Sequence, residues 1–420
     1  MTARLLLTGS REAAYLAVLK ALREEGFIYT SLEQWRQSSQ PTSIDYNLAQ
    51  EIAYGTCRMA LALDFLGATQ TNTGKLNLKL KERTLLRTTL YQHFFMQRIP
   101  LYAIADESLK IAKKYCHSSF AGFLNAALRK LSDKQPSLPQ QDTIKDLSIR
   151  LSYPQYFVRL LINEYGLTKA KEILEVQNRP SPTMVRIRTQ ASLQENLRDS
   201  LEMLPDLPVA IIKDNAILQE IAASPNFYIQ NATPVSLVQE LSRDKVAPHA
   251  ILDLCASPGG KLIAAYDCFP NAQLTANDVS EEKLKLLKEN IAKYQLTVTL
   301  KCSLGEHFTT PTPFDLIILD VPCSNSGVLN KRPEARWRLS DHMLEELEKT
   351  QLRLADHAIS LLTEGGELWY ITCSILKREN EEMVTRLCQR YSLQVRKMLT
   401  ILPNEQGFDG GFACALIKET

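Results

Sequence analysis

Over the first 132 residues, apolar positions recur three and four apart. The pattern holds in AAYLAVLKALREEGF, YNLAQEIAYGTCRMALALDFLGA, KERTLLRTTLYQHFFMQRIP, LYAIADESLKIAKKY and SSFAGFLNAALRKLS. That spacing buries one face of a helix. The breakers SSQPTS, GATQTNTGK, Pro100 and HSS fall between these segments. The pattern predicts a bundle of five or six helices with short connections. SDKQPSLPQQD (132–142) reads as a linker. Residues 150–250 are mixed. Helices are expected near FVRLLINEY and KAKEILEVQN, Pro180 and Pro182 end helicity, and MVRIRT alternates as a strand does. These signals predict a small α+β segment, and no internal repeat is visible.

From about residue 250 the pattern becomes strand–helix alternation. AILDLCA, QLTAND, VTLKC, FDLIILDVP, GELWYITCS and FACALIK read as strands. Between them GGKLIAAYDCF, SEEKLKLLKENIAKY, DHMLEELEKTQLRLADHAISLL and ENEEMVTRLCQRY read as helices. Ser280 opens the second of these, with acids in its first turn. The unbroken apolar run of FDLIILDVP predicts a strand covered on both faces. Alternation of this kind predicts a doubly wound α/β sheet. The expected division is 1–140, a helical domain; 141–235, a small α+β linker domain; and 236–420, a catalytic α/β domain.

Composition narrows the class. The chain has 420 residues, 45% hydrophobic and 23% charged, which excludes disorder or a coiled coil as the main state. No run approaches the ~18 apolar residues of a membrane helix. The apolar run of MTARLLLTGSRE is too short for a signal peptide, so a cytoplasmic protein is expected. Nine cysteines cannot all pair within one chain. Without C-x-x-C spacing a zinc site is disfavoured, and free thiols are expected. Residues 1–200 carry 27 Lys and Arg against 18 Asp and Glu, whereas the remainder carries 22 against 29. A basic front half suits a polyanion, although a solvated charged surface has the same signature.

Candidate chemistry lies at predicted strand ends. Asp253-Leu254-Cys255-Ala256-Ser257-Pro258-Gly259-Gly260-Lys261 runs from a strand into a helix start. Its two glycines let backbone N–H groups approach a ligand. It matches neither G-x-x-x-x-G-K-[ST] nor G-x-G-x-x-G. Asp278 ends the next strand, where an acid can take ribose hydroxyls. Cys323, in Asp320-Val321-Pro322-Cys323, and Cys373, in Thr372-Cys373-Ser374, end two more strands. Both are expected to face one crevice, although a buried core cysteine is the commoner role. Near neutral pH either thiol needs local activation.

Together these segments resemble the bacterial Sun/Fmu-type ribosomal RNA cytosine-C5 methyltransferases over nearly the whole chain. LDLCASPGGK is similar to the family's cofactor loop. DVPCSNSGVLNKRPEARW resembles its D-x-P-C-S segment with the downstream P-[DE]…W, YITCS its T-C-S signature, and DGGFACALIK its final strand. RIPLYAIADESLKIAK and FLNAALRK resemble its NusB-like RNA-binding domain; SYPQYFVRLLINEYG and RPSPTMVRIR resemble its linker domain. The resemblance implies a Rossmann-like, S-adenosylmethionine-dependent methyltransferase acting on small-subunit (16S) ribosomal RNA. It implies neither DNA nor a membrane as partner, and a monomer is expected. It implies Cys373 as nucleophile, Cys323 assisting release, and Asp320 beside base and cofactor. It also implies that residues 255–261 line the cofactor and that Asp278 holds its ribose. Lys261 is a candidate to neutralise a carboxylate.

Four positions depart from the family pattern: Asn325 for a small residue, Leu304 for an acid, Asn231 for Asp, and Asp409-Gly410-Gly411-Phe412 for D-G-F-F. They keep open an RNA-binding assembly factor with a weak methyltransferase domain. Other RNA substrates, and DNA with Cys323 as nucleophile, are the remaining alternatives. Lys331, Arg332, Arg336 and Arg338 are candidate phosphate contacts or a solvated loop. Lys75, Lys79, Lys81, Arg83 and Arg87 are a second basic stretch. Trp337 is expected in the core, and Glu379, Glu381 and Glu382 at a helix N-terminus without chemistry.

Overall fold

The computed structural model describes residues 9–71, 73–96, 98–131, 137–188 and 195–419. They form two compact units. A helical unit runs to Asn178 and takes in Leu329–Ser340; a sheet unit comprises Arg179–Val328 and the chain from Asp341 onward. Among the described residues no helix is long and apolar enough to cross a membrane.

The helical unit contains α1 (Ser10–Leu22), α2 (Ile28–Ser39), α3 (Ser43–Arg58), α4 (Ala60–Ala68), α5 (Leu80–Phe95), α6 (Leu101–Tyr115), α7 (Ser118–Lys130), α8 (Ile144–Arg150) and α9 (Gln155–Val176). Seven helices therefore stand where five or six are expected. The long segment around residues 46–68 breaks at Met59 into α3 and α4. The unpredicted α2 buries only Ile28, Leu32 and Trp35, a narrow stripe in a polar segment. The two helices expected after residue 155 meet within α9 at Gly166, whose φ is 77°. Tyr15, Leu63, Leu85, Phe120 and Leu124 form one core, and α1, α2 and α3 close a second around Ile28, Trp35 and Ile52.

The strap 329–340 is built into this unit. Arg336 is fully buried. Its guanidinium donates to the carbonyls of Arg58 (3.1 Å), Ser152 (3.1 Å) and Leu329 (3.3 Å), to Asn178 Oδ1 (3.0 Å) and to the Tyr153 hydroxyl (3.2 Å). It also lies 3.9 Å from the centre of the Tyr153 ring. Trp337 Nε1 donates to the Cys57 carbonyl, and Arg338 donates to the carbonyl of Gly26. Glu334 accepts from Ile28 N at 3.2 Å. It thereby supplies the cap that Phe27, the residue before α2, cannot. The reading of Arg336 as a phosphate contact or part of a solvated loop is thus corrected: it is buried, and its two terminal nitrogens donate to carbonyl and side-chain oxygens inside the helical unit; Arg338 is half-buried and donates to Gly26 O. Lys331 and Arg332 remain exposed, and Trp337 packs against the core as expected. In the other basic stretch, Arg87 is internal, bonded to Asp64 through two nitrogens at 2.8 and 2.6 Å.

The sheet unit begins with β1 (Met184–Ile187), α10 (Glu195–Arg198), β2 (Leu201–Met203), β3 (Val209–Ile212), α11 (Leu218–Ala223) and β4 (Phe227–Ile229). The strands form an antiparallel sheet of order β2-β3-β1-β4. α12 (Ala232–Ser242) packs against it through Ala232 and Val235, which meet Met184 and Val209. The segment expected as a separate domain over 141–235 is therefore divided. α8 and α9 belong to the helical unit, and the small antiparallel sheet belongs to the sheet unit.

The remainder is β5 (Ala250–Asp253), α13 (Gly260–Cys268), β6 (Gln273–Asp278), α14 (Glu281–Lys293), β7 (Val298–Cys302), β8 (Phe314–Asp320), α15 (Asp341–Ser360), β9 (Leu362–Thr372), α16 (Glu381–Arg390), β10 (Leu393–Ile401) and β11 (Gly411–Lys418). Strand order is β10-β11-β9-β8-β5-β6-β7. β5 to β9 are parallel, and β11 is antiparallel to both β9 and β10. Apolar clusters cover both faces, one around Leu319, Tyr370 and Phe412, the other around Ile318, Trp369 and Ala413. The doubly wound sheet is as expected. β10 is additional: an edge strand whose residues are mostly exposed or half-buried, so it lacks the apolar signal of its neighbours.

Candidate active site

Strand order reverses between β5 and β8, which opens a crevice at their carboxyl ends. Asp253 ends β5, Asp278 ends β6 and Asp320 ends β8, while Cys373 directly follows β9. All the sequence-predicted groups therefore lie along one end of one sheet.

The loop after β5 is held from below. Gly259 has φ 103°, in the left-handed region, and a Cβ there would lie 2.7 Å from Leu287 Cδ1. Its backbone leads into α13. Buried Asn277 donates to the carbonyls of Leu254 (3.1 Å) and Ser303 (3.0 Å), joining the ends of three strands. Asp278 accepts from the backbone N–H groups of Ser257 (2.9 Å) and Val279 (2.7 Å), one on each oxygen. Lys283 Nζ lies 3.3 Å from Oδ1, so Oδ2 is the oxygen that keeps a further lone pair. Cys255 is largely buried, and burial first, then Asp253, Asp320 and Asp278, pushes its thiol up.

Lys261 Nζ donates to Asp320 Oδ2 at 2.6 Å. Burial pushes the ammonium down, but Asp320, together with Cys373 and Asp253, holds it above its ordinary value. Asp253 is 1% exposed, and its Oδ1 has no hydrogen-bond partner among the described residues. Burial first, and then the charge of Asp320, pushes its carboxyl from 3.8 to about 8, against the pull of Lys261.

The two cysteine sulfurs are 2.9 Å apart. The hydrogen bond to Cys373, burial, and the charges of Cys373 and Glu379 all push the Cys323 thiol well up. Either sulfur can donate to the other at this distance. The Cys373 sulfur also lies 3.5 Å from Asn325 Oδ1, and Asn325 Nδ2 donates to the Cys323 carbonyl. Asn325 has φ 59°, a conformation that asparagine adopts more readily than most side chains. That departure from the family pattern is locally satisfied. So is Asn231: its Oδ1 accepts from Thr233 N and Asp409 N, and its Nδ2 donates to Gly407 O. An aspartate could not make the last bond. Leu304 is half exposed, and Glu306 is turned to Arg353 at 3.6 Å.

Sequence reasoning missed Glu379. It is fully buried and accepts from Ser324 N (2.9 Å), Ser324 Oγ (2.5 Å), Ser374 Oγ (2.6 Å) and Gln351 Nε2 (3.0 Å). Burial raises its pKa against those four donors. The expectation that it merely starts a helix is corrected, because its carboxyl turns inward between the two cysteine loops. Gln351 and Asn277 were missed as well. A polar side chain within a helix or strand carries no mark that it is buried.

Residues 243–417 match the family of 16S rRNA methyltransferase RsmB/F, and residues 8–133 match the NusB family. The chain is 29% identical over 430 residues to ribosomal RNA small subunit methyltransferase B of Vibrio cholerae, covering 97% of each chain. It is 26% identical to the probable ribosomal RNA small subunit methyltransferase B of Bacillus subtilis, covering 98% of this chain and 99% of that one. Among solved structures, PH0851 superposes with a TM-score of 0.77 at 20% identity, over 97% of this chain and 98% of that one. A methyltransferase homologue from Pyrococcus horikoshii gives 0.57 at 21%, over 66% of this chain and all of its own. All but the last residue of the seven-stranded sheet, the strand-end carboxylates and the cysteine pair fall within the first family match, and α1 to α7 within the second. Residues 243–417 thus carry a methyltransferase domain of the RsmB/F type, preceded over residues 8–133 by a domain of the NusB type.

Proposed function

We propose that this chain transfers a methyl group from S-adenosylmethionine to C5 of a cytosine in 16S ribosomal RNA, through a covalent bond from Cys373 to C6. The observation that carries the reading is the pair of cysteine sulfurs 2.9 Å apart at neighbouring strand ends, beside the Lys261–Asp320 pair. The relatives named for small-subunit ribosomal RNA methylation favour RNA as substrate.

The strand-end residues suit the cofactor. Asp320 is paired with Lys261 and Asp278 with Lys283, and the buried Asp253 adds a further carboxyl, an acceptor set that fits a ligand carrying an ammonium, a sulfonium and ribose hydroxyls. The orphaned oxygen of Asp253 is an acceptor available to such a cation. Residues 255–261 would line the cofactor, and Asp278 Oδ2 keeps a lone pair for a ribose hydroxyl. Bound there, S-adenosylmethionine supplies an electrophilic methyl group.

The protein's own residues do the rest. C5 of cytosine is a weak nucleophile. Addition of the Cys373 thiolate to C6 forms a C–S bond and moves the ring's π electrons toward C5, which can then form the C–CH3 bond. Asp320 would hold the polar edge of the base, with Lys261 holding Asp320. Release requires loss of the C5 proton and breakage of the C6–S bond, returning the electron pair to Cys373. Cys323 is the group beside Cys373 that would take that proton, once its own has passed to solvent. The target base must leave its stack to reach Cys373.

A covalent-trapping gel tests this. Wild type, Cys323→Ala and Cys373→Ala are incubated with 16S rRNA and S-adenosylmethionine. A slow-migrating RNA–protein adduct should accumulate in Cys323→Ala and be absent in Cys373→Ala. Accumulation in Cys373→Ala instead would reverse the two roles.

A further inference from the structure

Each cysteine is followed by a serine, and one buried carboxyl holds both serines. Glu379 Oε2 accepts from Ser324 Oγ and Ser374 Oγ, while Oε1 accepts from Ser324 N and Gln351 Nε2. The surroundings tighten the same junction. Gln351 Nε2 also donates to the carbonyl of Pro322, the residue before Cys323. The Tyr370 hydroxyl donates to the Glu379 carbonyl at 2.8 Å. Neighbouring Asn380 accepts from Thr372 Oγ1 (2.7 Å) and donates to the Ser374 carbonyl (3.0 Å), so it brackets Cys373 from both sides. Helix capping does not require this geometry. An acid at a helix start points to its own N–H groups or to water, whereas this one accepts three bonds from two loops 50 residues apart in sequence and a fourth from Gln351 of α15.

We propose that Glu379 is the positioning residue of the cysteine pair: its carboxyl clamps the residue after each cysteine and so sets the separation and facing of the two sulfurs. The proposal rests on the two-cysteine reading above for its catalytic meaning, but the clamp itself is a statement about thiol geometry. Glu379 touches neither base nor cofactor in this role. With the clamp intact, one sulfur can attack while the other waits within reach of the proton to be removed. A misplacement of about 1 Å in such a pair costs about 10²-fold in rate.

The first readout needs no RNA. Full-length wild type, Glu379→Gln and Glu379→Ala are treated with diamide, which is reduced to the hydrazine as two thiols become a disulfide. Formation of the Cys323–Cys373 linkage is followed by peptide mapping. Wild type should cross-link fast, Glu379→Ala at least about tenfold more slowly, and Glu379→Gln in between, since an amide of the same shape keeps part of the hydrogen bonding. The double variant Ser324→Ala/Ser374→Ala removes the clamp from the other side and should behave as Glu379→Ala does. It also serves if Glu379→Ala does not fold. The second readout is methyl transfer in a single turnover, set beside S-adenosylmethionine affinity by calorimetry. The clamp predicts a loss of about 10²-fold in transfer for Glu379→Ala with affinity changed less than about threefold. Equal cross-linking rates in folded wild type, Glu379→Ala and the double serine variant would overturn the proposal. So would transfer and cofactor affinity falling together, as general loosening of the fold would produce. If the cross-linking order holds but wild type methylates no RNA, the clamp stands and the functional reading fails.

Discussion

Asp253 is buried with one oxygen unpartnered, and that arrangement costs stability. Burial first, then Asp320, raises its pKa from 3.8 to about 8. A carboxyl whose folded pKa lies above its unfolded value binds its proton more tightly in the folded state. Between about pH 4 and pH 8 the folded protein therefore holds the extra proton, and stability falls as pH rises. Asp253→Asn removes the ionisation. In urea titrations of the cofactor-free protein, the variant should be more stable than wild type at pH 8, by on the order of 3 kcal/mol. The two should converge toward pH 4. Equal slopes against pH in both proteins would show that Asp253 carries no such burden. The same residue shows what a sequence discloses at this scale. Its place at a strand end was readable, as were those of Asp278, Asp320, Cys323 and Cys373, because each closes an apolar run. Its lack of a partner was not readable. Nor was the inward turn of Glu379, which sits in a run of acids indistinguishable from an ordinary helix start.

Elements meet at this site through backbone as much as through side chains. Gly327 N donates to the Cys373 carbonyl at 3.0 Å, and Gly410 N donates to the Gly327 carbonyl at 2.7 Å. Three chain segments therefore cross with no side chain between them. A Cβ on Gly327 would lie 2.4 Å from Gly410 O and 2.8 Å from Cys373 O. Both are backbone atoms that cannot swing aside. Gly327→Ala should destabilise the protein by about 3 kcal/mol or more and move the Cys373 loop. Gly122→Ala, on α7 with open space around it, should be neutral or stabilising by up to about 1 kcal/mol. Chemical unfolding of the two variants side by side checks the contrast. A Gly327→Ala protein as stable as Gly122→Ala would mean the crossing is not tight. The elements themselves were legible wherever apolar period and length agreed, as in β8, α14 and α15. β10 and α2 were not. One is an edge strand with few buried positions and the other has a three-residue stripe, so neither differs from a loop by periodicity.

At the scale of the whole molecule, the chain order of the parts was readable but their partition was not. Residues 329–340 follow the Cys323 motif directly, so sequence reasoning assigned them to the catalytic domain and read their arginines as phosphate contacts or a solvated loop. They fold into the helical unit instead. There Arg336 donates five hydrogen bonds from a position with no exposure, and Glu334 caps α2. Composition cannot distinguish a guanidinium that meets phosphates from one that meets main-chain carbonyls, because both need only acceptors. The strap leaves the sheet unit at Val328 and re-enters it at Asp341, so the two units cannot be separated by one cut. A fragment beginning at Arg179 keeps the strap but loses every residue that Arg336 and Trp337 bond to outside it. It should expose Leu329, Ala335 and Leu339, bind a hydrophobic dye, and be cleaved by trypsin within 329–340. The full-length chain should resist cleavage there. Replacing the strap in that fragment with a Gly/Ser linker should abolish the dye binding. In the full-length protein, Arg336→Ala leaves the carbonyls of Arg58, Ser152 and Leu329 without that donor and should cost about 3–5 kcal/mol. Lys331→Ala, an exposed neighbour, should cost under about 0.5 kcal/mol. If the fragment with its native strap is as protease-resistant as the full chain, the strap does not depend on the helical unit.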